Sequence, residues 1–115
     1  AKSFATIMGV TPAEMTRTIL EAGADIVGTN CGNGMEDMTA IVKQIRAESS
    51  ETPILVHANA GRPIVENNVT TFPETPEEMA RHALETVKAG ADIIGGCCGT
   101  TPEHIKSIIK ALRGK

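Results

Sequence analysis

The sequence has little of what would place it in a membrane, outside the cell or on a nucleic acid. None of its apolar runs approaches the roughly 18–20 residues that a bilayer span requires, which excludes an integral helix. Its first residues lack the pattern of a secretory leader, so secretion is not expected. Basic residues are in the minority, 11 Lys and Arg against 14 Asp and Glu, which removes the electrostatic case for a nucleic-acid partner. There are only three cysteines, an odd count with two adjacent, too few and too unevenly placed for a disulfide scaffold. Reduced thiols in the cytoplasm are the expectation. What remains is 115 residues, 41% hydrophobic and 22% charged, enough for one domain (1–115) with its own core.

Four short apolar runs alternate with four helical patterns. The runs are Phe4–Met8, Ala24–Gly28, Pro53–His57 and Ala91–Gly95, nearly continuous in apolar character as strands of a buried parallel sheet are. Between them the period becomes helical. Ile105, Ile108, Ile109 and Leu112 make one stripe, and Met38, Ile41, Val42 and Ile45 repeat it. Thr11-Pro12-Ala13-Glu14 and Thr75-Pro76-Glu77-Glu78 read as capped helix starts, and Thr101-Pro102-Glu103 keeps the cap and the proline. Asn33-Gly34-Met35-Glu36 fits the same template without proline. Gly23 and Gly90 stand where helices should stop. The predicted fold class is α/β, a (βα)₄ chain.

Ala22–Gly32 repeats as Ala89–Gly99, Ala-Gly-Ala-Asp-Ile-Val-Gly-Thr-Asn-Cys-Gly against Ala-Gly-Ala-Asp-Ile-Ile-Gly-Gly-Cys-Cys-Gly. Cys31 therefore corresponds to Cys98, and Asn30 to Cys97. Repeated βα units point to a TIM (β/α)₈ barrel, whose sites lie at the C-terminal strand ends. A full barrel takes about 250 residues, so four units make half of one. The alternative is a small doubly wound parallel sheet with helices on both faces.

Cys31, Cys97 and Cys98 all fall just past strand ends, flanked by glycine or small residues. Their strands are separated by one other, which in a flat sheet puts the ends about 10 Å apart. Curvature has to close that gap for zinc, because Zn–S bonds of about 2.3 Å need clustered thiolates. Three protein ligands with a fourth position open is the arrangement of catalytic zinc. Two other readings stand beside it: apolar packing of buried thiols, and a redox switch in the vicinal pair. The recurrence of the single cysteine at the repeat-equivalent position favours metal. Asn59, at the end of the strand between, either reaches the metal with its carbonyl oxygen or bonds its own backbone in a turn. His57 is a further candidate ligand, though its place within a strand suits a packed histidine. His82 and His104 fall on helices, solvent-facing or near caps, and Met15, Met35, Met38 and Met79 read as helix–sheet packing.

The segments Gly28-Thr29-Asn30-Cys31, Asn59-Ala60-Gly61-Arg62-Pro63 and Gly95-Gly96-Cys97-Cys98-Gly99-Thr100-Thr101-Pro102-Glu103-His104-Ile105 closely resemble the homocysteine S-methyltransferase family, and the likeness covers essentially the whole chain. It implies a (β/α)₈ barrel of which this chain matches strands five to eight. It also implies zinc bound by Cys31, Cys97 and Cys98, with Asn59 able to fill the open position when homocysteine is absent. The implied reaction is methyl transfer to the thiol of homocysteine, giving methionine, from methylcobalamin in another module, a sulfonium or a betaine. Family strands one to four, whose loops hold the amino and carboxylate groups of homocysteine, have no counterpart here. The expected partners are thus homocysteine and either the N-terminal half-barrel or a second copy in a homodimer. A non-catalytic zinc-binding half-barrel, kept as an assembly unit, is the competing expectation.

Overall fold

Each helix begins where threonine–proline pairs or a crowded glycine break the strand period. In a computed structural model, which describes residues 4–114, α1 spans Pro12–Glu21, β1 Val27–Gly34, α2 Met35–Glu48 and β2 Ile54–Asn59. Then follow β3 (Ile64–Glu66), β4 (Val69–Thr71), α3 (Pro76–Ala89), β5 (Ile93–Gly96) and α4 (Pro102–Arg113). β1, β2 and β5 form a parallel sheet in that spatial order, while β3 and β4 make a separate antiparallel hairpin.

The caps follow the sequence closely at three of the four helices. The hydroxyl of Thr11 accepts from the Glu14 N–H, and Thr75 with Glu78 forms a reciprocal capping box. Thr101 does the same with His104, whose ring replaces the usual carboxylate. The exception is α2. Its N-cap is Gly34, with no side-chain cap bond, and not Asn33. The reason is that β1 continues through Asn33 to Gly34, which pairs with Asn59; a Cβ at Gly34 would sit 3.0 Å from the Cα of Gly61.

Two further expectations are corrected. Phe4–Met8 forms no strand, so the parallel sheet has three strands among the described residues instead of four. Its backbone is spent locally: the Thr6 N–H donates to the Val10 carbonyl and the Gly9 N–H to the Thr6 carbonyl. Ile7 and Met8 consequently face solvent, and only Phe4 packs against the core. The β3–β4 hairpin was not anticipated. Its loop is Asn67-Asn68, both with positive φ (48° and 64°), as a two-residue hairpin turn of the I′ kind demands.

The helices form one layer, α1 against α2, α2 against α3 and α3 against α4. Alternation along the strands decides which side they cover. Val27, Ile54, Val56 and Ala58 are fully buried beneath Met35, Met38, Val42 and Ile45 of α2 and Met79 and Ala83 of α3. The methionines assigned to packing are there, with Met15 half-buried against the same cluster. On the opposite face Gly28, Leu55, His57 and Ile93 are exposed or half-buried. One helical layer on one sheet face is consistent with a half-barrel fragment, and among the described residues the second layer of a doubly wound sheet is absent. At the N-terminal strand ends, Arg46 donates to the carbonyls of Ser49, Thr52 and Gly90 and pairs with Asp92 at 3.0 Å. That clamp holds β2 and β5 together beneath the cysteine-bearing ends.

Candidate metal centre

All three cysteines converge at the C-terminal end of the sheet, and a distortion of β1 makes this possible. Between the pairs Asn30↔His57 and Gly34↔Asn59 the register shifts, so Cys31, Gly32 and Asn33 bulge opposite a single residue of β2. Cys31 and Gly32 both have positive φ, 55° and 73°. The bulge brings Cys31 across the end of β2 towards β5, closing the separation that flat strands would leave.

The other two thiols are placed by backbone bonds to β2 and its loop. The Cys97 N–H donates to the Ala58 carbonyl at 2.7 Å, and the Ala60 N–H to the Cys98 carbonyl at 2.9 Å. The Cys98 N–H donates to Asn59 Oδ1 at 3.0 Å. The chain then turns at Gly99, where φ is 78° and a side chain would run into Phe72. The resulting sulfur separations are 3.7 Å for Cys31–Cys98 and 4.0 Å for Cys97–Cys98, with all three within 4.8 Å. Sulfurs at two corners of a tetrahedron around zinc, each about 2.3 Å from the metal, lie about 3.8 Å apart. The donor set fits zinc in number, chemistry and spacing. All three are free thiols; Cys31 and Cys97 are half-buried and Cys98 is exposed.

Their acidities are unequal. The Gly32 N–H, followed by hydrogen bonds with Cys97 and Cys98, holds the Cys31 thiol below its ordinary value. Hydrogen bonding to Cys31 and Cys97, with the charge those groups carry, pushes Cys98 up to about 11. Charge gathered on neighbouring sulfurs thus opposes ionisation of Cys98, and a bound cation would compensate it.

Asn59 is 4% exposed, at the end of β2 between the cysteine-bearing strands. His57 lies two residues earlier on the open sheet face, outside the thiol cluster. His82 Nδ1 is 3.2 Å from Glu74 Oε2. His104 is buried: its Nδ1 accepts from the Thr101 N–H at 3.2 Å and its Nε2–H donates to the Glu74 carbonyl at 2.7 Å. Both ring nitrogens of His104 thus serve the cap and the loop before α3. A cleft of about 300 Å³ adjoins Cys31, walled by Thr6, Ile7, Met15 and Asn30.

Two contributors escaped the sequence reading. Arg62 donates from Nε and Nη2 to Asp37 Oδ2 at 3.1 and 2.8 Å, tying the loop after Asn59 to the first turn of α2. An acidic residue set among the buried positions of an apolar helix face was the available signal. Glu74 packs against Gly61, and its backbone N–H donates to the Ala60 carbonyl. Burial raises its carboxyl pKa, opposed by His82, and its Oε1 has no hydrogen-bond partner among the described residues. No sequence pattern marked it.

The homocysteine S-methyltransferase family model covers residues 1–112, and the chain belongs to that family. Among curated relatives, it is 32% identical over 91 residues to the methionine synthase of Mycobacterium leprae (strain TN), 78% of this chain. The methionine synthase of Mycobacterium tuberculosis (strain ATCC 25618 / H37Rv) gives the same identity over the same length. In both, the aligned segment spans 8% of the relative's length. Among the described residues, no helix is long and apolar enough to cross a membrane.

Proposed function

We propose that residues 1–115 form the zinc-binding, C-terminal half of a homocysteine-binding (β/α)₈ barrel, equivalent to strands five to eight, in a cobalamin-dependent enzyme of the methionine synthase kind. The observation that supports this reading best is the convergence of Cys31, Cys97 and Cys98, with sulfurs 3.7 and 4.0 Å apart at the C-terminal end of the sheet. The three cysteines hold zinc. Bound zinc would lower the pKa of a substrate thiol, so that its sulfur is nucleophilic at neutral pH.

The residues of this chain set up that chemistry before substrate arrives. Three anionic thiolates favour a divalent cation and leave it electron-rich, which keeps a further sulfur ligand reactive. The exposed side of Cys98 leaves the cluster approachable. In the reaction the homocysteine thiol would give up its proton to solvent, its sulfur would bond the methyl carbon with its own electron pair, and the methyl–donor bond would break with its pair left on the donor. The donor, methylcobalamin, a sulfonium or a betaine, is held outside this segment, in keeping with the small share of the relatives that the segment spans. The open face of Leu55, His57 and Ile93 is where an N-terminal half-barrel, or a second copy of this chain, completes the fold, and the N-terminal half would also anchor the amino-acid end of homocysteine. The cytoplasm, where thiols stay reduced, is the compartment this site requires.

The test is to titrate zinc into the reduced chain and then follow proton release on adding homocysteine. One zinc with homocysteine-dependent proton release is the expected result. Zinc without proton release would make the chain a non-catalytic assembly unit, and no zinc would remove the reading.

A further inference from the structure

Two of the helices open on reciprocal capping boxes, and the two boxes differ at one position. At the start of α3 the Thr75 N–H donates to a carboxylate oxygen of Glu78, 3.1 Å away. At the start of α4 the buried ring of His104 takes the place of that carboxylate. A cap needs only an acceptor, and His104 Nδ1 supplies one to the Thr101 N–H at 3.2 Å. The other ring nitrogen reaches out of the helix: Nε2 stands 2.7 Å from the Glu74 carbonyl. A carbonyl only accepts, so the proton sits on Nε2 and Nδ1 keeps its lone pair. A carboxylate could make the first bond but not the second.

That second bond closes a ring. The Glu74 N–H donates to the Ala60 carbonyl at 3.1 Å, and the Ala60 N–H to the Cys98 carbonyl at 2.9 Å. From Cys98 the chain returns through Gly99, at φ 78°, and Thr100 to Thr101. The turn that follows Cys97 and Cys98 is therefore held at both ends by the same bonded pair, Ala60 and Glu74, and the side-chain link in the ring is His104. Gly95, Gly96 and Gly99 give that segment little stiffness of its own. We propose that His104 is a positioning residue of the metal centre: through Glu74 and Ala60 it fixes the backbone from which Cys98 presents its sulfur, a task separate from capping α4. This rests on the zinc reading and concerns a residue outside the donor set.

Two substitutions of matched shape separate the tasks. His104→Glu keeps an acceptor for the Thr101 N–H and has no donor for the Glu74 carbonyl, whereas His104→Gln offers both. Zinc affinity of the full chain is measured by competition with a chromophoric chelator, alongside the sulfur-to-cobalt charge-transfer band of the Co²⁺-loaded protein. Hydrogen exchange at the Ala60 and Thr101 amides is followed in parallel. His104→Glu should weaken zinc by roughly tenfold, the low end of the cost of losing a group that orients a ligand. Its added negative charge would itself favour a cation, so the loss reports the missing donor. The charge-transfer band should shift and the Ala60 amide should exchange faster, while Thr101 stays protected. His104→Gln should restore the wild-type values. Wild-type affinity and an unchanged band in His104→Glu overturn the proposal, because His104 is then a cap alone. Should His104→Glu not fold, His104→Ala takes its place, and an unchanged cobalt band there overturns the proposal in the same way. A wild-type chain that binds no zinc removes the metal reading itself, and the brace is then judged by the amide: equal Ala60 exchange in wild type and His104→Glu overturns it.

Discussion

Cys31 and Cys98 lie 67 residues apart in the chain, and their sulfurs stand 3.7 Å apart. They occupy equivalent positions in the internal repeat, yet they arrive by different routes. Cys31 reaches the site through a bulge with left-handed backbone, whereas Cys98 follows directly on β5 and is tied by its N–H to Asn59. Equivalence in sequence thus becomes proximity in space only because one copy of the repeat is distorted.

The reduced chain should bind about one zinc, held by three thiolates with one position open. Cys31→Ser, Cys97→Ser and Cys98→Ser should each weaken it by more than the roughly 10–100-fold typical of a supporting residue. Cys31→Ser and Cys98→Ser should match one another, since the repeat makes them equivalent. Mild oxidation should release the metal. Metal analysis and chelator competition on the three variants check this, and undiminished affinity in all three would contradict it.

The repeat, the three cysteines and the helix caps were legible because each depends on short-range chemistry: a hydroxyl, a proline, a thiol at a fixed offset. The failures share a different cause. Phe4–Met8 has the apolar character of a strand, but its backbone closes on itself through Thr6 and Gly9, a contest that periodicity does not register. Asn33 loses the cap of α2 to Gly34 because β1 runs on through it to the pairing of Gly34 with Asn59, 25 positions along. The hairpin was legible in principle from Asn67-Asn68 between β-branched residues. Burial of Glu74 was not, because it arises from packing between the loop after β2, α3 and α4.

Glu74 gives a pH-dependent prediction. Its folded pKa is raised, chiefly by burial, so the native state holds the proton more tightly than the unfolded chain does. The associated stability is therefore fully present below the unfolded value of about 4.5 and is lost as pH rises through the higher folded value. Glu74→Gln retains hydrogen bonding to His82 without the charge. Its thermal midpoint should exceed that of wild type at pH 7, with the difference closing towards pH 4. Equal midpoints across that range would show that the buried carboxylate carries no penalty.

Activity of the chain alone should be poor. Under the half-barrel reading, the loops that hold the amino and carboxylate groups of homocysteine belong to strands one to four. Without them the thiol can be activated but not oriented, and a misplacement of about 1 Å already costs roughly a hundredfold. Methyl transfer from methylcobalamin to homocysteine should therefore run at least about 100-fold below that of a complete barrel. A comparable rate would mean that self-association rebuilds the pocket.

The purified chain should also associate with itself. β1 and β5 are the two edges of the parallel sheet, and neither pairs with a further strand among the described residues. The face away from the helices presents Leu55 and Ile93, the latter 39% exposed, beside Gly28 and His57. Unpaired edge groups favour strand pairing, and apolar surface favours burial by about 25 cal/mol per Å². Phe4–Met8 cannot protect the β1 edge, since it folds into a local turn with Ile7 and Met8 in solvent. A two-fold dimer would satisfy both edges with one self-complementary surface. Sedimentation equilibrium at micromolar concentration should therefore give a mass near twice 12.1 kDa. Ile93→Glu, at a position already partly open to water, should return the mass to that of a monomer with the helices intact. A wild-type chain that sediments as a folded monomer would remove the association and leave the open face to solvent.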